Sequence, residues 1–141
     1  MTSSKQIIVI DDEADMCWVL ERLLRHRGYE VATATTGDNG LTLLQRLSAR
    51  LAIIDCKLPD TDGLDVATEA IKLQPDIALI LISGFPFAEE SELRERVLSL
   101  KAHFLAKPFE VADLGVLVEQ IMNARTQNVL AHIEENDAAE N

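Results

Sequence analysis

Five short apolar runs, spaced about 20 to 28 residues apart, constrain the fold of this chain more than any other feature. They are 7–10, 31–34, 51–54, 77–82 and 104–106. Each run is continuous instead of alternating with polar residues, which is typical of strands covered on both faces. The segments between the runs carry apolar residues with helical period. This alternation predicts an α/β fold with a parallel sheet.

Turn-forming residues support these boundaries. Residues 59–63, Pro-Asp-Thr-Asp-Gly, form a dense turn signal after the third run. Gln74 precedes Pro75 and is expected to end the third helix, because the residue before a proline is driven out of the α region. We therefore predict one uninterrupted domain over residues 1–125.

The composition narrows the class of protein. The 141 residues are 48% hydrophobic, and 24 acidic against 13 basic side chains give a formal net charge of -11. This length suffices for one domain with its own core. An acidic surface repels phosphate backbones and anionic lipid, so we expect no direct binding to nucleic acid or membranes.

The cysteines and the N-terminus point to a compartment. Cys17 and Cys56 lack the spacing of a redox or metal motif and are expected to be reduced packing residues. The longest apolar run is too short to cross a bilayer, and the first six residues lack an apolar signal core. A cytoplasmic protein is the resulting expectation.

Polar side chains follow four of the five apolar runs. Asp11 and Asp12 come after the first run, Asp55 after the third, Ser83 after the fourth and Lys107 after the fifth. In open α/β sheets the binding crevice lies outside the carboxyl ends of the strands. We therefore expect three carboxylates, a hydroxyl and an ammonium to converge on one rim of the sheet.

Most of these residues have a simpler interpretation when they are taken alone. Asp12 or Glu13 would serve as the negative start of the first helix, Ser83 as the start of a loop, and Lys107 as a solvated strand end. Asp55 caps nothing evident, because it directly follows a buried strand and precedes the next turn by several residues. The coincidence of all four placements favours a shared site.

Charge determines what such a site binds. Three aspartates a few ångströms apart cannot all stay ionised without a cation, and oxygen ligands with positions left to water are typical of Mg²⁺. A carboxylate beside Mg²⁺, a lysine and a hydroxyl is suited to attack a phosphoryl group and form an acyl phosphate. Asp55 stands alone at the end of the central strand and is the best candidate nucleophile, whereas the adjacent Asp11 and Asp12 suit the metal and metal-bound water.

These residues lie in motifs that resemble the receiver domains of two-component response regulators, in the CheY-like superfamily. The motifs cover residues 6 to about 123 in the family's order and spacing, and they are Ile10-Asp11-Asp12-Glu13, Ile54-Asp55, Leu58-Pro59-Asp60-Thr61-Asp62-Gly63, Ile82-Ser83-Gly84 and Lys107-Pro108-Phe109. The resemblance implies a (βα)₅, flavodoxin-like, doubly wound parallel sheet with strand order 2-1-3-4-5.

The resemblance also implies roles for individual residues. Asp55 would be phosphorylated by a histidine of a sensor histidine kinase or of a histidine phosphotransfer protein. Asp12 and Asp55 would be carboxylate ligands of Mg²⁺, with the Lys57 main-chain carbonyl as the third protein ligand and Asp11 acting largely through water. Ser83 resembles the hydroxyl residue that reorients toward the phosphoryl group.

Phe104 occupies the family's aromatic switch position, three residues before Lys107. A core aromatic is an equally good interpretation, because Phe104 has no hydroxyl. In the family, the movements of the Ser83 and Phe104 positions remodel the face formed by helix 4, strand 5 and helix 5. We therefore expect phosphorylation to change contacts with an effector protein that the sequence does not identify.

The first helix offers a candidate docking surface. Helical geometry places four residues on its inner face, with Trp18 roughly opposite; these are Met16, Leu20, Leu23 and Leu24. Isolated exposed apolar residues are common, and the alternative is an anchor for the phosphodonor. Receiver domains that resemble this one meet their donor near helix 1 and the loop after strand 5, so Met16 and Pro108 join Trp18 as candidate docking residues.

Residues 126–141 turn polar and end in an acidic run, which is typical of a frayed tail. Val118, Met122, Val129 and Ile133 recur near heptad spacing, so a helical extension for dimerisation, or for joining an output domain, is the alternative. We expect neither an output domain nor a basic recognition helix, and therefore a stand-alone receiver that is monomeric or dimerises on phosphorylation.

Other functions compete with a signalling phosphoacceptor, which would not be an enzyme beyond its own phosphorylation and slow dephosphorylation. A Mg²⁺-dependent phosphohydrolase of the haloacid-dehalogenase type needs Asp-x-Asp after its first strand, and neither residues 11–14 nor residues 55–57 fit. A receiver separated from a transcriptional regulator stays open. A phosphate-independent scaffold is disfavoured because the residues that phosphorylation needs are all present.

Overall fold

The computed structural model describes residues 5–84 and 91–124. Five strands form one parallel sheet in the order β2-β1-β3-β4-β5. The strands are β1 (Gln6–Ile10), β2 (Glu30–Ala34), β3 (Leu51–Asp55), β4 (Ala78–Ser83) and β5 (His103–Ala106). This order and the parallel pairing confirm the predicted doubly wound α/β fold.

Helices connect the strands in chain order. They are α1 (Ala14–His26), α2 (Gly37–Arg46), α3 (Gly63–Leu73) and α4 (Ser91–Ser99), and a fifth helix, α5, covers residues 111–124. The chain divides into two compact units, Met1–Phe109, which contains the sheet and α1 to α4, and Glu110–Asn141, which contains α5. The predicted extension over residues 126–141 lies outside the described residues.

The central strands form the most enclosed part of the sheet. Residues Ile7–Ile10 and Leu51–Ile54 are each 1% exposed or less, and β1 and β3 each have strand neighbours on both sides. On one face, Ile10 and Ile54 belong to a core cluster that also contains Leu44 of α2 and Val66 of α3. Continuous apolar runs are therefore required, since neither face of these strands meets solvent.

Helix α1 covers its own part of the sheet with a face that differs slightly from the predicted one. The buried residues are Cys17, Leu20 and Leu24, whereas Met16 and Leu23 are only half-buried. The spacing of three and four residues is helical, as predicted, but the stripe includes the small thiol side chain of Cys17. The prediction that Met16 and Leu23 lie in the inner face was wrong in this detail.

The two cysteines agree with the predicted packing role. Cys17 and Cys56 are free thiols, buried and half-buried respectively. Burial, followed by the charge of Asp11, raises the pKa of Cys17 to about 11, and burial with the charge of Asp55 raises that of Cys56 to about 12. Both thiols are therefore protonated at neutral pH. Within residues 5–84 and 91–124, no helix is long and apolar enough to cross a bilayer.

Candidate functional site

Three carboxylates meet at the carboxyl ends of β1 and β3. Each of Asp11, Asp12 and Asp55 offers an oxygen within 4.8 Å of the others. The register of the sheet explains this, because Ile10 of β1 pairs with Ile54 of β3 and the next residue of each chain segment is an aspartate. The structure thus brings together the three aspartates that the sequence placed at strand ends.

Asp55 is the best-anchored carboxylate of the three. It is the last residue of β3, not the first of the following loop, and it is buried. Its Oδ1 accepts a hydrogen bond from the Lys57 backbone N–H at 2.9 Å, and its Oδ2 accepts one from the Lys107 ammonium at 2.9 Å. These two bonds fix the orientation of the carboxylate.

Lys107 is positioned by the strand that precedes it. Its backbone N–H donates to the Ser83 carbonyl at 2.8 Å, and its Nζ also lies 3.5 Å from Glu13 Oε1. Burial opposes the charged form, but the hydrogen bond to Asp55 and the charges of Asp11, Asp55 and Glu13 outweigh burial and raise the pKa of Lys107. The ammonium is therefore a fixed positive charge in the site.

Asp11 has an unusual environment. It is 1% exposed, and its Oδ1 accepts the Glu13 backbone N–H at 2.9 Å. Its Oδ2 is buried without a hydrogen-bond partner in the described part of the chain. Burial, together with the charge of Asp55, raises the pKa of Asp11 to about 6 despite the Glu13 N–H and Lys107.

A hard divalent cation fits this arrangement. A buried carboxylate oxygen without a partner is costly, and clustered carboxylates repel one another until a cation is bound. Oxygen-only donors that include an exposed carboxylate, Asp12, leave positions for water, as Mg²⁺ prefers. Asp11, Asp12 and Asp55 are the residues that would hold the ion.

Ser83 ends β4 beside the aspartate site. It is 1% exposed, and its strand pairs with β3 so that Ile82 lies opposite Asp55. The Cys56 backbone N–H donates to the Ile82 carbonyl at 2.8 Å. Ser83 thus lies between the strand that carries Asp55 and the strand that leads to Lys107.

The two ends of the loop after β3, residues 56–62, are joined by backbone hydrogen bonds. Lys57 and Asp62 form an antiparallel bridge, and the Gly63 N–H donates to the Cys56 carbonyl at 2.9 Å. A Cβ on Gly63 would meet the Asp55 carbonyl, so only glycine allows this close approach. Asp62 caps α3 by accepting the Leu64 N–H at 2.9 Å.

The remaining predicted residues make none of the contacts described above. Phe104 is half-buried and packs against the core cluster, which agrees with the core-aromatic interpretation, and its switch role stays a prediction. Trp18 is 59% exposed, with the Arg22 guanidinium 4.9 Å from its ring centroid. Met16 is half-buried and Pro108 is exposed, and the docking role of these three residues also stays a prediction.

Two contacts at the site were not predicted from the sequence. Glu13 is the N-cap residue of α1, but its side chain makes no capping bond and instead lies 3.5 Å from Lys107. Asp60 accepts two backbone N–H groups of α2. No sequence signal indicated the first contact, because Glu13 was interpreted only as a helix start, and the second contact depends on where the loop meets α2.

Comparisons with known proteins agree with this geometry. The sequence matches the family described as "Response regulator receiver domain" over residues 7–119. It is 31% identical over 126 residues to the transcriptional regulatory protein PrrA of Mycobacterium tuberculosis, an alignment that covers 87% of this chain and 52% of PrrA. The chain spans about half the length of the curated relatives it matches first.

Two solved structures extend the comparison. A CheY-like response regulator receiver domain protein from Methanospirillum hungatei has a TM-score of 0.82 and 28% identity, covering 89% of this chain and 99% of that one. A response regulator from Burkholderia pseudomallei has a TM-score of 0.72 and 26% identity, covering 91% and 75% respectively. The latter structure is described with a phosphorylated aspartic acid, a calcium ion and citrate.

Proposed function

This chain belongs to the response regulator receiver domain family, and from that premise we propose that Asp55 is its phosphoacceptor. The donor is a phosphorylated histidine of a sensor histidine kinase or of a histidine phosphotransfer protein. The observation that carries this proposal is the buried Asp55 carboxylate, 2.9 Å from the Lys107 ammonium and clustered with two further carboxylates.

In the proposed reaction, a carboxylate oxygen of Asp55 attacks the phosphorus of the phosphohistidine. The new O–P bond forms as the P–N bond breaks, and the imidazole leaves with the electron pair and takes up a proton. Lys107 is placed to neutralise charge on the transferred phosphoryl oxygens, and the Ser83 hydroxyl to donate to one of them. Asp11, Asp12 and Asp55 would hold a Mg²⁺ ion, which would supply further positive charge when bound.

Asp55 is favoured over its neighbours as the nucleophile by its contacts. It alone among the three aspartates accepts a hydrogen bond from Lys107, and the Lys57 N–H fixes its rotamer. Asp11 Oδ1 accepts the Glu13 N–H and its Oδ2 has no hydrogen-bond partner in the described part of the chain, which suits a carboxylate that holds a cation. The phosphorylated aspartic acid and calcium ion named for the Burkholderia pseudomallei relative support phosphorylation of an aspartate, without indicating which one.

The proposed output is a change in protein contacts and not turnover of a separate substrate. Phosphorylation adds negative charge at the ends of β3 and β4, next to Ser83, and the surrounding loops must accommodate it. The proposed downstream partner is an effector protein. The same proposal places this protein in the cytoplasm, together with its phosphodonor. We propose no enzymatic activity beyond the protein's own phosphorylation and dephosphorylation.

Phosphotransfer to Asp55 is tested by intact-mass spectrometry after incubation with acetyl phosphate and Mg²⁺. We expect the wild type to gain the mass of one phosphoryl group, and Asp55→Asn or chelation of Mg²⁺ to abolish the gain. Asp38→Asn, which removes an exposed carboxylate remote from Asp55 in the sequence, is the control that keeps the gain. A phosphorylated Asp55→Asn protein, or a wild type that accepts no phosphoryl group from any donor, would refute the proposal.

A further inference from the structure

Asp60 joins the loop after β3 to the start of α2. Its Oδ1 accepts the Gly37 backbone N–H at 2.8 Å, and its Oδ2 accepts the Asp38 backbone N–H at 3.0 Å. Both bonds reach across more than 20 residues of sequence, from the loop that follows the phosphoacceptor to the first turn of another helix. We refer to this pair of bonds as the Asp60 clamp.

The chemistry of a helix start makes the clamp favourable. The first N–H groups of a helix have no acceptor within the helix, and their dipoles attract negative charge. Thr36 serves the third of these groups, because its Oγ1 accepts the Asn39 N–H at 3.1 Å, and Asp60 serves the first two. The bonds from Gly37 and Asp38 lower the pKa of the Asp60 carboxyl, so it is ionised at neutral pH.

Close packing accompanies the clamp. A Cβ on Gly37 would meet the methyl group of Thr61 and would also lie 3.2 Å from Val66 Cγ2. Any side chain at position 37 would therefore push α2 away from the loop. Glycine permits the close contact between Gly37 and Thr61. The clamp is thus a hydrogen-bonded pair supported by direct van der Waals contact.

We propose that Asp60 is a positioning residue of the phosphoacceptor site, acting through the loop it fixes. The ends of the loop are already closed by the Lys57–Asp62 bridge and the Gly63–Cys56 hydrogen bond. Asp60 attaches the exposed middle of the loop to α2. The same loop carries the Lys57 N–H that holds Asp55 Oδ1, so a loosened loop leaves the nucleophile less well oriented. This inference rests on the proposed function of Asp55.

A matched pair of variants separates positioning from stability. Asp60→Asn keeps one acceptor oxygen and places an amide group against the second N–H. Asp38→Asn removes the same charge from the same helix end, but the Asp38 side chain is exposed and has no hydrogen bond or ion pair in the described part of the chain. Loss of the favourable charge at the α2 start therefore affects both variants, and loss of the clamp affects only Asp60→Asn.

The readouts are the rate of phosphorylation by acetyl phosphate at saturating Mg²⁺ and the amide hydrogen exchange of Gly37, Asp38 and Lys57. For Asp60→Asn we expect a rate on the order of tenfold lower, since small misplacements of reacting groups are costly, and faster exchange at all three amides. Asp38→Asn is expected to keep the wild-type rate and the wild-type exchange at Lys57. Thermal unfolding of both variants verifies that each is folded at the assay temperature.

A second test acts from the α2 side without changing charge. Gly37→Ala pushes against the Thr61 methyl and should slow phosphorylation, whereas Thr61→Ser removes that methyl and should recover part of the rate in the double variant. The proposal is overturned if Asp60→Asn reacts at the wild-type rate with unchanged Lys57 exchange, or if Asp38→Asn is equally slow. If the wild type accepts no phosphoryl group, the proposed function fails, and Lys57 exchange alone decides whether the clamp orders the loop.

Discussion

Asp11 illustrates, at the scale of single residues, how clustered and buried carboxylates lower the stability of a fold when no cation is bound to them. Its Oδ2 is buried and unpartnered among the described residues, and burial with the charge of Asp55 raises its pKa from 3.8 to about 6. A raised carboxyl pKa means that the folded state holds this proton more tightly than the unfolded state. Stability from this group is therefore present below pH 3.8 and is lost as the pH rises through 6.

Asp11→Asn is expected to stabilise the metal-free protein above pH 6, by roughly 2–3 kcal/mol, since one pKa unit corresponds to about 1.4 kcal/mol. The asparagine keeps a carbonyl oxygen for the Glu13 N–H and removes the buried charge. The measurement is urea denaturation in EDTA at pH 4 and at pH 8. The gain should be present at pH 8 and nearly absent at pH 4.

Asp15→Asn is the control for this experiment, because Asp15 is an exposed acidic residue in the first turn of α1. Its substitution should change stability by less than about 0.5 kcal/mol. An Asp11→Asn protein that is less stable than the wild type at pH 8, or a difference that does not depend on pH, would contradict the assignment of a buried ionised carboxylate.

The sequence predicted the chemistry of the site residues better than their partners. Asp11, Asp55 and Lys107 were identified because each follows an apolar run, and parallel strands bring such positions to one edge. The contact of Glu13 with Lys107 joins residues more than 90 positions apart, and the rotamers of two long side chains decide it. No periodicity or turn signal encodes such a contact, which is why Glu13 was interpreted only as a helix start.

At the scale of elements, strands were predictable and helix faces less so. Every predicted run lies in an observed strand except for Ile77, which precedes β4, and Asp55 and Ser83 are final strand residues instead of loop residues. The inner face of α1 was placed on Met16 and Leu23 by their apolar character, but Cys17 occupies it. Hydrophobicity alone ranks a small thiol below a large apolar side chain, whereas the close approach of α1 to the sheet favours the smaller residue.

Gln74 connects the ends of two helices. It is the C-cap residue of α3. Its side-chain Oε1 accepts the Ala49 N–H at 2.8 Å, and its Nε2 donates to the Leu44 and Leu47 carbonyls at 2.7 Å each. One amide thus satisfies a backbone donor and two carbonyls at the end of α2, groups that a helix terminus leaves without partners.

Gln74→Ala should destabilise the protein by roughly 2–4 kcal/mol, because three backbone groups in a partly buried region lose their partners. Urea denaturation measures this change, and Gln45→Ala, at an exposed position of α2, serves as the control with an expected effect within about 0.5 kcal/mol. Equal stability of the two variants would mean that water replaces the Gln74 contacts without cost.

At the scale of the whole molecule, the clustered aspartates contribute to the net charge of -11. Because these aspartates come together only in the folded state, a cation that binds them must stabilise the entire domain. Mg²⁺ is expected to raise the unfolding temperature, with a gain of about 2.7 kcal/mol at a concentration 100 times the dissociation constant. Differential scanning calorimetry with MgCl₂, against NaCl at matched ionic strength, measures the effect.

Asp12→Asn is the informative variant for this Mg²⁺ effect, because Asp12 is exposed and its loss should leave the metal-free protein nearly as stable as the wild type. We expect it to lose most of the Mg²⁺-dependent shift, whereas Asp38→Asn retains it. An unchanged Mg²⁺-dependent shift of the unfolding temperature in Asp12→Asn, or an equal shift with NaCl, would contradict binding at the aspartates. The shift would then result from general screening of the acidic surface.

The strand order belongs to this larger scale and could not be read from the apolar runs themselves. Runs such as Ile7–Ile10 and Leu51–Ile54 are both wholly apolar, and nothing in them indicates that β1 lies between β2 and β3. The order 2-1-3-4-5 was expected from the resemblance to a family, which rests on the aspartate, serine and lysine motifs. Pairing between distant strands depends on the whole chain, whereas each run reports only on its own burial.

The enclosure of β3 has a consequence for how a signal could leave this protein. A strand flanked by β1 and β4, with neither face in solvent, cannot slide or tilt to relieve a new charge at its tip. Any deformation is therefore expected in the segments beyond the strand ends, while the sheet acts as a stationary frame. Reporter probes attached to the loops at Lys57 or Gly84 would register the change of state, and probes within β3 would remain silent.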